Sequence, residues 1–311
     1  MKRSLLLLLV PLVACGARTS AGGLPRDTVD ASVDVEDAAD GVADASPDVA
    51  PDGPKPPCDL AKPFGKLVPI VELNTPDQWE GMMRLSPDGL TAYYQRHSES
   101  TLWDVWTASR AGPFSPFGNA KPITAIDTTD GEGAPFPSAD GLTLFFGRTS
   151  QATQDYDVWV ATRASTADDF GAPSLAGLPR RSLTPYLVRD DVLYFATNPT
   201  VDIVRATWKG PSAFGPIVSQ LTTPRNESWP ALTADELTMY YSIGGSGVGS
   251  GIDIAVATRS SRDVAFAPGT RVKELDTDAD ELVTFVSPDG CTLYVSSTAE
   301  GTLDLYVTRK P

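Results

Sequence analysis

The chain has 311 residues, 41% of them apolar and 21% charged, with 40 acidic side chains against 25 basic ones and a net charge of −15. That length suits one large β domain as well as two ordinary ones. The strong negative balance argues against a nucleic-acid binder and against adhesion to anionic lipid through the protein surface.

The first element is a targeting segment. Lys2 and Arg3 precede the apolar run Leu5 to Leu9, followed by Leu12-Val13-Ala14-Cys15-Gly16. This is the layout of a secretory signal, too short for a finished membrane span. Its end resembles a bacterial lipobox, in which a small residue precedes the cysteine that receives diacylglycerol. The resemblance implies a signal peptide over 1–14, lipidation at Cys15, and an anchored protein rather than a spanning one. Gly16, in the place of the Asp that marks inner-membrane retention in enteric bacteria, favours the outer membrane of the envelope, facing the periplasm or the cell surface.

Residues 16 to 57 hold nine acidic and three basic side chains, no aromatic, and repeated Asp-Ala, Asp-Val and Pro steps. Such a stretch buries too little apolar surface to offset its ordering entropy, so 15–57 is expected to be a solvated acidic linker behind the lipidated cysteine.

From residue 58 onward a phrase recurs five times, about once every 50 residues. It opens with a turn: Ser86-Pro87-Asp88-Gly89, Ser138-Ala139-Asp140-Gly141, Val188-Arg189-Asp190-Asp191, Thr233-Ala234-Asp235-Glu236 and Ser287-Pro288-Asp289-Gly290. An apolar, aromatic-rich stretch follows. A second begins at Asp104-Val105, Asp157-Val158, Asp202-Ile203, Asp253-Ile254 and Asp304-Leu305. In blade 1 the strands fall before Leu85, over Leu90 to Gln95, over Trp103 to Arg110 and near Phe117 to Ile126. The fold expected is all-β, a single five-bladed β-propeller of four-stranded blades over 58–311.

An aromatic tag marks each fourth strand: Phe117-Gly118, Phe170-Gly171, Phe214-Gly215 and Phe266-Ala267. The fifth repeat ends without one, yet Lys62-Pro63-Phe64-Gly65 carries it ahead of the first repeat. The N-terminal strand should therefore complete the last blade and close the ring, removing an exposed edge. Cys291 begins the second strand of that blade and Cys58 lies just before its fourth, so a Cys58–Cys291 disulfide would clamp the closure. The disulfide is the expectation; two free thiols are the alternative, since two strand spacings span about 9.5 Å.

The strings Ser-Pro-Asp-Gly-Leu-Thr-Ala-Tyr-Tyr from Ser86, Ser-Ala-Asp-Gly-Leu-Thr-Leu-Phe-Phe from Ser138 and Ser-Pro-Asp-Gly-Cys-Thr-Leu-Tyr-Val from Ser287 resemble the WD40-like repeats of TolB-type propellers, over residues 62 to 311. The resemblance implies the fold and little about activity, since that family spans periplasmic scaffolds, envelope lipoproteins and non-catalytic domains of peptidases. TolB itself has six blades and an extra domain, so a role in its system is not implied.

Four blades place a Glu eight residues before the turn Asp: Glu80, Glu132, Glu227 and Glu281; the third has Ser182, beside Arg180 and Arg181. One reading makes these an acidic mouth for a cation or a basic ligand group; the other makes them acceptors of backbone hydrogen bonds, repeated because the repeat was duplicated. Trp79 and Trp229 flank two of them and either stack on a sugar or peptide or pack in the core. The Asp residues that start the third strands read as loop caps, and Arg110, Arg163, Arg259 and Arg309 as partners for the turn Asp residues.

Asp127, Asp130 and Glu132, and likewise Asp276, Asp278, Asp280 and Glu281, offer oxygen ligands of the kind Ca²⁺ takes, though neither forms an EF-hand loop. Solvated loop charge is the plainer reading, and no other cofactor is implied. His97 is the only histidine and no nucleophile motif accompanies it. The expectation is a monomeric, non-catalytic binding or scaffold propeller whose partner is an envelope protein or a glycan. The enzyme alternative is a glycoside hydrolase, which needs two carboxylates about 5–9.5 Å apart.

Overall fold

In each repeat an apolar, aromatic-rich run is stopped at a turn Asp, followed by Gly in three of the five, and the chain reverses three times within each four-stranded blade. The computed structural model describes residues 58–97, 102–150, 152, 156–179, 182–189, 191–197, 202–210, 214–244 and 251–311. β1 (Val68–Pro69) comes first. Blade 1 follows as β2 (Trp79–Leu85), β3 (Thr91–His97), β4 (Trp103–Ser109) and β5 (Gly118–Pro122). Blade 2 is β6 (Gly131–Pro137), β7 (Thr143–Thr149), β8 (Tyr156–Thr162) and β9 (Ser174–Leu175). Blade 3 is β10 (Leu183–Arg189), β11 (Val192–Ala196), β12 (Ile203–Thr207) and β13 (Val218–Leu221). Blade 4 is β14 (Asn226–Leu232), β15 (Thr238–Gly244), β16 (Ile252–Thr258) and β17 (Thr270–Arg271). β18 (Glu281–Val286), β19 (Thr292–Ser297) and β20 (Asp304–Arg309) then pair in the order β18-β19-β20-β1.

All five sheets are antiparallel four-stranded blades, and each inner strand packs against those of its two neighbours, giving the closed five-bladed β-propeller. The N-terminal strand completes the last blade as the tag at Phe64 implies. Fourth strands are shorter than the sequence suggests. Four of the tag Phe residues ahead of them are buried and each ring is covered by a cation: Arg110 over Phe117 at 4.5 Å, Arg163 over Phe170 at 4.5 Å, Arg259 over Phe266 at 4.4 Å and Lys310 over Phe64 at 4.5 Å, while Phe214 is half-buried.

The second strands do not alternate. Tyr93-Tyr94, Phe145-Phe146, Tyr194-Phe195 and Tyr240-Tyr241 are buried on both faces, because each blade is covered by a neighbour on either side. The turns are built by their Asp side chains. Asp88, Asp140, Asp235 and Asp289 accept the backbone N–H of Leu90, Leu142, Leu237 and Cys291 at 2.9–3.0 Å. Gly89, Gly141 and Gly290 take the left-handed conformation that follows, with φ of 70°, 69° and 73°. The Arg residues that end the third strands therefore do not pair with the turn Asp. Arg110 and Arg163 donate instead to the carbonyls of Gly89 and Gly141, at 2.7 and 2.8 Å, because the turn Asp oxygens already hold the local N–H groups.

Cys58 is joined to Cys291 with Cα atoms 5.8 Å apart. The segment ahead of β1 crosses the end of the blade rather than continuing the fourth strand, tied by Asp59 N–H to the Pro311 carbonyl at 2.8 Å and by Lys310 Nζ to the carbonyls of Leu60 and Lys62. That crossing removes the two-spacing gap.

Candidate functional site

Glu80, Glu132, Glu227 and Glu281 stand at matching positions of β2, β6, β14 and β18, and all four are completely buried. Each carboxylate turns back to a Thr in the loop before its own strand. Thr75 donates its N–H and hydroxyl to Glu80 at 3.1 and 2.8 Å, and Thr128 donates both to Glu132. The hydroxyls of Thr223 and Thr277 bond Glu227 and Glu281 in the same way. Ser182, which replaces the Glu in blade 3, donates to the Pro179 carbonyl at 2.7 Å.

Beyond the Thr the four sites diverge. Glu80 pairs with Arg96 at 2.9 Å and Glu132 with Arg148 at 2.7 Å, each guanidinium stacked over a Trp, Trp106 or Trp159, at 4.3 Å. The residues opposite Glu227 and Glu281 are Ile243 and Ser297, so no guanidinium meets either carboxylate across the pair of strands. Burial raises all four pKa values, with the Thr bonds opposing it. Glu281, without an arginine and near Asp253 and Asp276, is pushed up to about 7. One oxygen each of Glu227 and Glu281 is buried with no hydrogen-bond partner among the described residues.

Two residues after each Glu the strand bulges, the extra residue showing as a register shift in all five inner strands. Met82, Ala134, Thr184 and Trp229 take positive φ there, between 47° and 54°. The bulge N–H points to the preceding blade. Met82 donates to Ser296 Oγ at 3.0 Å, Ala134 to Gln95 Oε1 at 2.8 Å, Trp229 to Thr184 Oγ1 at 3.3 Å and Val283 to Ser242 Oγ at 3.1 Å. Gly147 leaves that place open in blade 2, and the Tyr156 hydroxyl fills it.

Trp79 and Trp229 lie in one cluster, half-buried, together with Trp103. They pack on Met82, Ile252, Leu282 and Leu303, so blades 4, 5 and 1 contribute and blades 2 and 3 give only Ala134. His97 lies against Trp103 with ring centroids 5.3 Å apart, and burial lowers its pKa.

The two acidic clusters separate. Asp280 accepts the N–H groups of Gly251 and Ile252 at 3.0 and 2.9 Å, and Asp276 and Asp253 share Arg271, at 3.6 and 2.7 Å. At the junction of blades 1 and 2 the equivalent pair is Asp104 and Asp127, and Pro122 stands where Arg271 does. Their oxygens and that of Glu132 lie within 4.8 Å of one another, close enough to share a cation, with Asp104 in the place the sequence gives to Asp130. Burial and the charges of Asp104 and Glu132 push Asp127 up to about 6.

Cys15, Ser98, Glu99, Arg180, Arg181, residues 153–155, Asn198, Pro199 and residues 245–250 lie outside the described residues. Sequence reasoning passed over two features. Arg84 is a charge at the repeat position held elsewhere by Phe136, Tyr186, Ala231 and Phe285. Glu236 replaces the turn glycine and, fully buried at φ 60°, meets Arg189, Arg205, Arg259 and Arg262. In both cases the break in the repeat was the signal.

No protein-family model matches the sequence, and no curated protein does. Solved structures do match. The catalytic domain of the GH62 alpha-L-arabinofuranosidase of Coprinopsis cinerea is similar with a TM-score of 0.52 at 9% identity, over 80% of this chain and 97% of that one. A hypothetical protein of Leishmania major has the same TM-score and identity, over 80% and 90%. TolB of Acinetobacter baumannii matches with a TM-score of 0.44 at 13% identity over 74% of this chain, which spans 54% of the length of that TolB. At these identities the likeness is one of fold.

Proposed function

We propose that this protein is a non-catalytic binding or scaffold propeller, held at the outer membrane of a bacterial envelope by lipid on Cys15 and spaced from it by the acidic linker. The observation that carries binding over catalysis is the use of the repeated carboxylates. All four ring glutamates are buried and spent on a Thr of their own loop, two also on an Arg. An acid and a nucleophile must both reach the substrate, and none of these four carboxylates is exposed to do so. Among the described residues on that side, the half-buried indoles of Trp79, Trp103 and Trp229 can meet a partner, and they suit an envelope protein or a glycan.

The test is capture from cell envelopes with the full-length protein, run beside a glycan array. The expected result is a partner or glycan retained by the wild type and lost from the double variant Trp79→Ala, Trp229→Ala. Equal retention by both removes this face. Cys15→Ser should abolish fatty-acid labelling and release the protein from membranes; continued membrane retention would count against the anchor.

A glycoside hydrolase is the second reading, favoured by one observation, the half-buried carboxylates of Asp104 and Asp127 brought together beside Glu132, with Asp127 raised to about 6. It expects sugar release from a glycan panel that Asp127→Asn eliminates.

A further inference from the structure

The turn-bearing mouth of the central channel, on the side where the inner strands end, opens into a pocket of about 140 Å³. Phe136, Tyr186 and Phe285 wall it, Pro87 and Pro288 stand at the turns, and among the described residues Arg189 is its one charged lining residue. Beside two of those walls lies Arg84, with its guanidinium carbon 5.6 Å from the Phe136 ring centroid and 5.1 Å from that of Tyr186. Arg84 is 3% exposed, and no carboxylate pairs with it among the described residues; its Nη1 is buried without a hydrogen-bond partner.

A buried cation without a counter-charge is unfavourable, and proteins ordinarily pair it or leave it out. Burial lowers Arg84 to about 10, which still leaves it charged at neutral pH. Aromatic faces attract it only partly. Arg189 adds to the same sign of field, since the Glu236 it bonds at 2.7 Å also meets Arg205, Arg259 and Arg262. The carboxylates of Asp88, Asp140, Asp235 and Asp289 at the same turns are held by their own turn N–H groups, so the buried Arg84 is left without a counter-charge beside this apolar opening.

We propose that this mouth binds a small organic anion with a flat apolar body, a carboxylate of benzoate's size, whose charge is the counter-ion that Arg84 lacks and that Arg189 has only as a share of Glu236. The volume is suitable, since an apolar cavity of about 150 Å³ holds one benzene ring. The body of the ligand lies among Phe136, Tyr186 and Phe285, and its carboxylate is drawn to the two guanidinium groups. The site is on the opposite side of the ring from the indole cluster and stands whether or not that cluster binds a partner.

The test is calorimetric titration of the full-length protein with benzoate and with benzamide, its neutral counterpart. Benzoate should bind and raise Tm, with benzamide at least ~10-fold weaker. Arg84→Met, which removes the buried charge at similar volume, should lose the preference for benzoate over benzamide. Ala139→Trp, placed at the exposed rim, should block both ligands. No benzoate binding by the wild type, equal binding of the two probes, or an unchanged preference in Arg84→Met would each overturn the proposal. If Arg84→Met does not fold, the two-probe comparison with Ala139→Trp decides it alone.

Discussion

At the scale of single residues, the ring glutamates show how one duplicated position comes to hold different chemistry. Glu80 and Glu132 gain an arginine and a stacked tryptophan; Glu281 faces Ser297 and, among the described residues, is bonded through its side chain by its threonine alone. A Glu in an unfolded chain ionises near about 4.3, whereas Glu281 in the fold does so at about 7, chiefly through burial. Between those values the native state keeps a proton that the unfolded state has lost, so stability falls as pH rises through that window. Glu281→Gln keeps an acceptor for Thr277 and removes the titration. We expect the urea midpoint of the wild type to drop between pH 5 and pH 8 and the drop to shrink in Glu281→Gln. An identical pH slope in the two proteins would show that Glu281 ionises normally.

At the scale of elements, the bulges of the inner strands tie one blade to the next through a single amide each. Blades 4 and 5 receive the next bulge on Ser242 and Ser296, with Leu303 packed over Gly81 beside Ser296. Blade 2 uses the pair Gly147 and Tyr156 at the matching places, and a Cβ on Gly147 would lie 1.7 Å from the Tyr156 hydroxyl. Gly147→Ser alone should therefore destabilise by about 1–3 kcal/mol through overpacking. Gly147→Ser with Tyr156→Leu reproduces the Ser296 and Leu303 arrangement and should recover most of that loss in chemical denaturation. An additive double variant would show that the two positions do not share one space.

How much was legible follows from the same elements. Turns, strand order and the closing strand were readable because Asp-Gly and the Phe tag recur with the repeat and each has a local cause. The Glu position was readable too, but not its partners. Thr75, Thr128, Thr223 and Thr277 lie four or five residues upstream, in loops of unequal length, and Arg96 and Arg148 come from a neighbouring strand. The acceptor of the Arg at the third-strand end is not legible, because a sequence shows charge and not the Gly89 or Gly141 carbonyl that the side chain meets first. The grouping of Asp104 with Asp127 depends on the seam between two blades, a distance no repeat alignment carries.

On the scale of the whole molecule, the ring has one seam that the chain itself does not hold. Every other blade is continuous; the last is made from both ends of the folded body, joined by two residue pairs of β1 with β20, the Asp59 to Pro311 bond and the Cys58–Cys291 link across a sequence separation of 233. A cross-link that closes so long a loop contributes roughly 5–6 kcal/mol on the chain-entropy account. That figure applies only if opening the seam lets the entire ring unfold. If blade 5 merely lost β1, the reduced protein would fray there and keep its remaining core. The inner strands argue for the first outcome, since β18 packs on both β2 and β14 and the Met82 amide reaches Ser296 across the seam. The double variant Cys58→Ser, Cys291→Ser should thus unfold in a single transition, seen alike by tryptophan fluorescence and far-ultraviolet circular dichroism, at a clearly lower urea concentration. Two separate transitions, with most of the dichroism lost in the later one, would mean that the seam is a local clasp and that the four continuous blades hold without it.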